Sequence, residues 1–344
     1  VARDAIFAVI AGLLLQSGDA LRKVVWVLVL GAGALGAVST FQFLTGSFGS
    51  SFLGFAQASV ENIVGATDDY RISGPVGDPN FFAQWLVMVV PLAIDRFRSE
   101  TSPALKAIAG GAALVISSAI VFTFSRGAVL GLAVVGAILL IAKPPKMRTV
   151  VTVAIAGILV LPILPPGYVE RITTLGQVGT VEAGTDASIR GRTAEMKAGI
   201  SMFEDHPFTG VGFGNYASNY VEYARQIGIE QRSEAREAHS LYLEVAAETG
   251  IPGMFAFAAI ILVAGRSVLA ARRRLLAGGR DDLAGICLAL TASLAGYLIT
   301  SVFLHMAFAR PFWMIIGICL ALPAVARAEV PDRDVMPMEA AVPA

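Results

Sequence analysis

The chain has 344 residues, 56% of them hydrophobic and 15% charged, with a mean hydropathy of +0.70. Soluble domains carry about 25% charged residues, so this composition excludes an ordinary soluble fold and points to a polytopic membrane protein. Lys+Arg and Asp+Glu both number 26, a formal net charge of zero, which leaves no polyanion-binding signature and makes nucleic acid a poor partner.

A membrane-crossing helix needs about 20 mostly apolar residues. Residues 5–15 are short for one and read as the remnant of a span. The chain starts on Val rather than Met, so its N-terminus is expected to be processed or incomplete. Arg22-Lys23 follows this run in place of a small-residue cleavage site, so no cleavable signal peptide is expected. Residues 24–44 form a span. Residues 45–80 are Ser/Gly-rich and hold Asp68, Asp69 and Arg71. Within them Phe52, Ala56, Val60 and Val64 recur at helical spacing, which predicts a short helix lying on the bilayer. Further spans are predicted at 81–94, 104–124, 128–142 and 150–164.

Residues 165–239 are a long polar loop, in which Met196, Ile200 and Phe203 predict an amphipathic helix. Residues 241–265 cross again, interrupted at Gly250-Ile251-Pro252-Gly253. The last spans are 283–304 and 313–326. The tail from Arg327 is charged and Pro-rich and is predicted to be disordered. The chain therefore divides into N-terminal spans at 1–164 with an outer segment at 45–80, a long loop at 165–239, C-terminal spans at 240–326 and a cytoplasmic tail at 327–344. The fold class is all-α, a membrane helix bundle with short amphipathic helices in its long extracytoplasmic loop. Cys287 and Cys319 both lie in apolar runs and read as buried structural thiols.

Charge orients the bundle. Short connectors on one side carry Arg22, Lys23, Arg96, Arg98, Lys143, Lys146, Arg266 and the Arg272–Arg274 run. Those on the other side carry only Arg71, Arg126 and Arg310. The positive-inside rule puts the first set in the cytoplasm. The unusual polar residues then share the outer face, where neither ATP nor nucleotide-sugar is available: Arg71, Asp78, Asn80, Arg126, the long loop, His239 and His305.

Several of these could carry chemistry. Arg126 lies between two apolar runs in a turn, Ser125-Arg126-Gly127, too short to give it an easy exit to water. A charge there is costly, and a guanidinium fork matches phosphate oxygens; the alternative is a snorkelling turn residue. Arg190 and Arg192 open the amphipathic helix, whose N-terminal N–H groups also suit phosphate; the alternative is a basic edge near lipid headgroups. Imidazole titrates near neutrality, so His239 could take a proton from a hydroxyl; the alternative is an ordinary helix-start histidine. Glu248, one turn from Glu244 on the stripe through Ser240, is either an ion partner for an arginine or a half-buried cap.

Gly210–Asn215 superficially resembles a dinucleotide loop, but no strand of a βαβ unit precedes it and it lies on the outer side, so a tight loop of close backbone approach is expected. Asp68, Asp69 and Asp78 lack the ligand spacing of a cation site, and no metal is expected.

Taken together, Ser125–Gly127 (SRG), Arg192–Met196 (RTAEM), Asp205–Tyr216 (DHPFTGVGFGNY), Ala238–Gly253 (AHSLYLEVAAETGIPG) and Arg71–Ala83 (RISGPVGDPNFFA) resemble the bacterial O-antigen ligase/polymerase family. The resemblance runs from about Arg71 to Trp313. It implies a GT-C-like glycosyltransferase of the cytoplasmic (inner) membrane, working at the outer face without cofactor or metal. The implied partners are an undecaprenyl-diphosphate-linked glycan donor, a lipid or glycan acceptor, and membrane lipids. By position, Arg126 and Arg192 are implied to hold the diphosphate, with Arg190, Arg71 and Glu248 as further substrate-binding candidates, and His239 is implied as the general base. Ser240 stands where the family often has Asn, and Met196 where it often has Trp. The N-terminal portion is short for the family, so further spans are expected to precede it. Ligase and polymerase share these motifs. A transporter is a third reading, but it would place ionisable groups near mid-membrane.

Overall fold

The computed structural model describes residues 2–61, 69–144, 147, 187–228, 235–305 and 309–331. The span expected at 150–164, Asp68 and the tail beyond 331 lie outside the described residues, as does the Arg190 side chain. The described part is a polytopic helical bundle of ten α-helices with one small hairpin.

In chain order α1 spans Ala2–Leu14, α2 Gly18–Thr45, α3 Pro79–Ser99, α4 Pro103–Phe122 and α5 Arg126–Ala142. Then come α6 at Ala187–Asp205, α7 at Tyr216–Gln226, α8 at Leu241–Ala277, α9 at Asp281–Thr300 and α10 at Arg310–Glu329. Five of these, α2, α4, α8, α9 and α10, are long and apolar enough to cross a membrane. The shorter α5 is equally apolar. Local sequence starts and stops them. Ser17 caps α2, its hydroxyl accepting from Ala20 N at 3.2 Å, and Gly46 ends it in a left-handed conformation (φ 65°).

At the centre stands α3, packed on α2, α4, α5 and α9. Its 21 residues reach about 30 Å, enough to span. Asn80 and Gln84 make one end polar, while Asp95, Arg96 and Arg98 load the other. Backbones come close where side chains vanish: a Cβ on Gly131 would stand 2.6 Å from Thr300, and one on Gly296 2.8 Å from Val135. Small residues allow such contact between spanning helices, where van der Waals packing replaces the hydrophobic drive.

The helix predicted through Phe52, Ala56 and Val60 does not form. Phe52, Leu53 and Gly54 all take positive φ (47°, 59° and 89°), which no right-handed helix accommodates. Beyond them β1 (Gln57–Glu61) pairs antiparallel with β2 (Asp69–Gly74), Ser59 facing Arg71. The hairpin lays Arg71, Ile72 and Ser73, all buried, against the start of α3. Val60 is left outward and exposed.

The two ends of the bundle differ. At one, charged groups tie chain segments together: Arg22 pairs with Asp282, Arg280 with Glu329, and Gly18 N donates to Glu329 at 2.8 Å. At the other end lie the hairpin, the N-termini of α3, α5, α8 and α10, and the more polar helices α6 and α7.

Candidate functional site

The scaffold of the site is a broken helix. Gly250, inside α8, has φ 63° and ψ −164°, a region open essentially to glycine alone. Pro252, two residues on, has no N–H to offer the Glu248 carbonyl. The turn after α6 supplies the missing donors. Val211 N donates to Ala247 O at 2.9 Å, Gly212 N to Glu248 O at 3.2 Å, and Ile251 N in return donates to Pro207 O at 2.7 Å. Gly210 must be glycine here, since a Cβ would lie 2.2 Å from the Glu248 carbonyl carbon. The glycine run is thus the close-approach loop expected, and it serves backbone rather than nucleotide.

Glu248 completes the join. Its carboxylate accepts from Gly214 N at 2.8 Å and Tyr216 N at 3.0 Å, capping α7. Of the two roles open in the sequence, the structure gives it the cap. Each of its two oxygens accepts from one backbone N–H. Tyr216, Tyr220 and Tyr223 of α7 pack with Ala198 and Met202 of α6 and with Ala247 in a second small core. Opposite this face, Met196 and Ile200 are exposed, which leaves the predicted apolar stripe of α6 turned outward.

This join fixes the start of α8 next to the bundle. Ser301, at the end of α9, accepts Leu241 N on its carbonyl at 3.0 Å and Gln84 Nε2 on its hydroxyl at 2.8 Å. His239 sits just before, held at φ 45°. That is an uncommon, strained conformation for a residue with a Cβ. Phe124, just before Ser125-Arg126-Gly127, shares it at φ 51°. Such strain gathers where the surroundings over-determine a functional geometry.

Between these strained turns lies a cleft lined by Asn80, Ser125, Arg126, Gly127, Arg192, Phe303 and Leu304. Arg126 and Arg192, 66 positions apart, therefore share one site. Arg126 is the first residue of α5, so backbone N–H groups and the positive end of the helix dipole meet the guanidinium there. The cleft encloses about 20 Å³, room for about one water, so a larger anion must part its walls.

Arg71 stands behind this cleft rather than in it. It is 1% exposed. Its Nε donates to Thr123 O at 2.7 Å and its Nη2 to Asn80 Oδ1 at 3.1 Å. It ties the hairpin to the end of α4 and orients Asn80, a wall of the cleft. Asp78, weighed as a cation ligand, caps α3 by accepting from Asn80 N at 2.8 Å and Phe81 N at 3.0 Å.

His239 lies beside this charge. Its ring meets His305 edge-on at 5.5 Å, and His305 meets Phe81 at 4.9 Å. Burial first, then the charges of Arg192 and Arg236, hold the His239 imidazole down to about 4, against the opposing pull of Asp78. Burial and His239 likewise bring His305 down to about 4. Both rings are therefore neutral at neutral pH. A neutral imidazole has a lone pair to receive a proton.

Two neighbours of His239 were missed in the sequence. Glu195, almost fully buried on α6, has Oε2 3.7 Å from His239 Nε2. Arg236 sits in the connector before His239 and adds to its field. The signal for Glu195 was present. On the inward stripe of α6, Gly191, Ala194, Ala198 and Met202 are small or apolar, and the carboxylate stands among them. Arg236 carried no such signal in a connector rich in Arg and Glu.

Fold and site together define a polytopic helical membrane protein with a cationic cleft and a half-buried imidazole at one rim. Residues 111–258 match the model of a family described as O-antigen ligase. The matched stretch, somewhat under half of the chain, supports an O-antigen ligase/polymerase family assignment. The match takes in Arg126, Arg192, Glu195 and His239. Arg71, Asn80 and His305, which complete the surroundings, lie outside it. No curated protein is significantly similar to the chain.

Proposed function

We propose that the protein is a glycosyltransferase that moves a glycan from a polyprenyl-diphosphate carrier to an acceptor hydroxyl at the outer face of the cytoplasmic membrane. The observation that carries this reading is the shared cleft of Arg126 and Arg192, with the neutral, half-buried His239 in the field of Arg192. A diphosphate ester is already a good leaving group. The protein must add positive charge where charge grows on the departing oxygen, and a base for the incoming hydroxyl.

Two guanidiniums and the N-terminus of α5 supply the first in a site screened from bulk water. The neutral imidazole supplies the second. Holding both substrates at one rim supplies orientation. In-line attack inverts the anomeric centre. The cluster of basic connectors at the opposite end supports an outward-facing site. No step requires a metal, and undecaprenyl diphosphate is the carrier proposed.

The test is transfer by purified protein in nanodiscs, given a polyprenyl-diphosphate glycan and candidate acceptors, with products resolved by size and linkage. A product on the acceptor with inverted configuration supports the reading. Binding of the donor with no transfer to lipid, glycan or repeat-unit acceptors refutes it. The same assay separates ligase from polymerase, since a polymerase lengthens the donor's own glycan.

A further inference from the structure

Glu195 is a carboxylate where packing alone would favour an alanine. It is 2% exposed on the stripe that α6 turns inward. Burying a carboxylate is costly unless a partner answers it. Its helix turn is pinned, because the Tyr216 hydroxyl donates to the Glu195 backbone carbonyl. From that fixed point Oε2 reaches within 3.7 Å of His239 Nε2.

The other ring nitrogen supplies a second, independent observation. His239 Nδ1 is buried and has no hydrogen-bond partner among the described residues. A neutral imidazole carries one proton, on the nitrogen whose surroundings accept it. A carboxylate at Nε2 puts the proton there and leaves the lone pair on Nδ1. A buried polar atom left unmatched in this way calls for an explanation; a substrate hydroxyl provides one. The His305 edge contact and the strained His239 backbone fix the ring from two further sides.

Resting on the reading of His239 as base, we propose that Glu195 is a positioning residue that fixes the His239 tautomer, so that Nδ1 is the nitrogen that takes the acceptor's proton. As the acceptor oxygen bonds to the anomeric carbon, the anomeric bond to the diphosphate oxygen breaks and its electron pair leaves on the diphosphate. The hydroxyl proton passes to Nδ1. The imidazolium then carries a proton on each nitrogen, with Nε2–H facing the Glu195 carboxylate. The 3.7 Å separation closes to a hydrogen bond at that stage, as contacts of a catalytic base commonly tighten in the reacting complex.

The tautomer is read by nitrogen-15 NMR on histidine-labelled protein in nanodiscs. The chain has only 3 histidines, and His239 is assigned by the signal lost in His239→Ala. The expected wild-type ring is protonated on Nε2, and in Glu195→Gln this preference is lost. Glu195→Gln should lower kcat about 100-fold with donor KM held within about twofold, and Glu195→Asp should recover part of the rate. A purely structural role would reduce the folded fraction and leave the tautomer of the folded protein unchanged.

A wild-type ring protonated on Nδ1, or wild-type turnover by Glu195→Gln, overturns the proposal. Should Glu195→Gln fail to fold, the wild-type tautomer still decides. Wild-type transfer by His239→Ala would overturn the base reading itself. An inactive His239→Ala beside a fully active Glu195→Gln overturns only the positioning role.

Discussion

Replacing Gly250 by alanine tests the joint on which the site is built. The residue has φ 63° and ψ −164°, a conformation that costs a non-glycine residue about 1–3 kcal/mol. A Cβ would also stand 2.6 Å from Pro207 O and 2.8 Å from the Phe208 carbonyl carbon, both backbone atoms that cannot swing aside. Overpacking of this kind costs about 1–3 kcal/mol more, for a total of about 2–6 kcal/mol. Relief requires α8 to straighten or the turn after α6 to withdraw, and either movement parts Val211 and Gly212 from the carbonyls they cap. The assay is reversible unfolding in mixed micelles, with transfer activity measured alongside. Gly265→Ala is the control. It lies on the same helix, where an added Cβ would meet nothing within 4 Å, and alanine there should gain up to about 1 kcal/mol. Stability of Gly250→Ala within about 0.5 kcal/mol of wild type, a change of the size expected at an unconstrained surface site, would refute the argument that this break is locked by its surroundings.

Arg126→Lys should lower kcat/KM for the donor about 10²-fold, because an ammonium lacks the planar fork that engages two phosphate oxygens; full activity would make Arg126 a snorkelling residue. Glu248→Gln should destabilise the protein by about 1–3 kcal/mol, since one N–H of Gly214 or Tyr216 then meets an amide NH₂, and donor KM measured on the folded protein should not change. A raised donor KM would return Glu248 to the substrate site. Transfer should survive exhaustive chelation, and activity lost with chelator and restored by a divalent ion would show a metal requirement.

The bundle was legible because crossing a membrane leaves a coarse signature. Most described spans lie close to their expected places, although α8 runs on to Ala277, well past the expected end at 265, and the break at Gly250 and Pro252 stood in the sequence as a broken apolar run. What was not legible depends on contacts distant in sequence. The 3.6-residue spacing of Phe52, Ala56 and Val60 was real, but three successive positive φ angles and pairing with Asp69–Gly74 overrode it. Glu248 could be offered an arginine or a cap, and the choice fell to Gly214 and Tyr216, more than thirty positions away. Arg71 is charged and outward in sequence, and only the fold shows it buried, with Nε donating to Thr123 O and Nη2 to Asn80 Oδ1. Arg126 and Arg192 lie far apart in the chain, and their shared cleft could be seen only in three dimensions.

Donor binding and the protonation of His239 are coupled through this cleft. In the free protein burial, Arg192 and Arg236 hold the imidazole down to about 4, with Asp78 opposing them; Glu195 and His305 are its other titratable neighbours. A diphosphate joined to lipid and sugar is a diester, with two fixed negative charges and nothing to titrate near neutrality. Set beside Arg126 and Arg192, it offsets the field of Arg192 and attracts a proton to the ring, so the His239 pKa rises on binding. The sign follows from linkage: the complex binds protons more readily than the free protein, so donor affinity increases as pH falls through the raised value and levels off below about 4. A tenfold gain in proton affinity gives a tenfold gain in donor affinity over that window. Titration calorimetry with a non-transferable diester analogue, in two buffers of different ionisation enthalpy, reads the proton uptake directly. Uptake should shrink in Arg192→Gln, where the free ring is already more basic, and vanish in His239→Gln. Uptake that persists in His239→Gln and disappears in His305→Gln would move the proton to the second ring. A donor affinity flat from pH 7 to pH 4 with no uptake would break the coupling altogether. With the coupling intact, the base is weakest in the free protein and gains strength only when the leaving group is in place, which ties proton abstraction from a hydroxyl to the presence of the bond it is to replace.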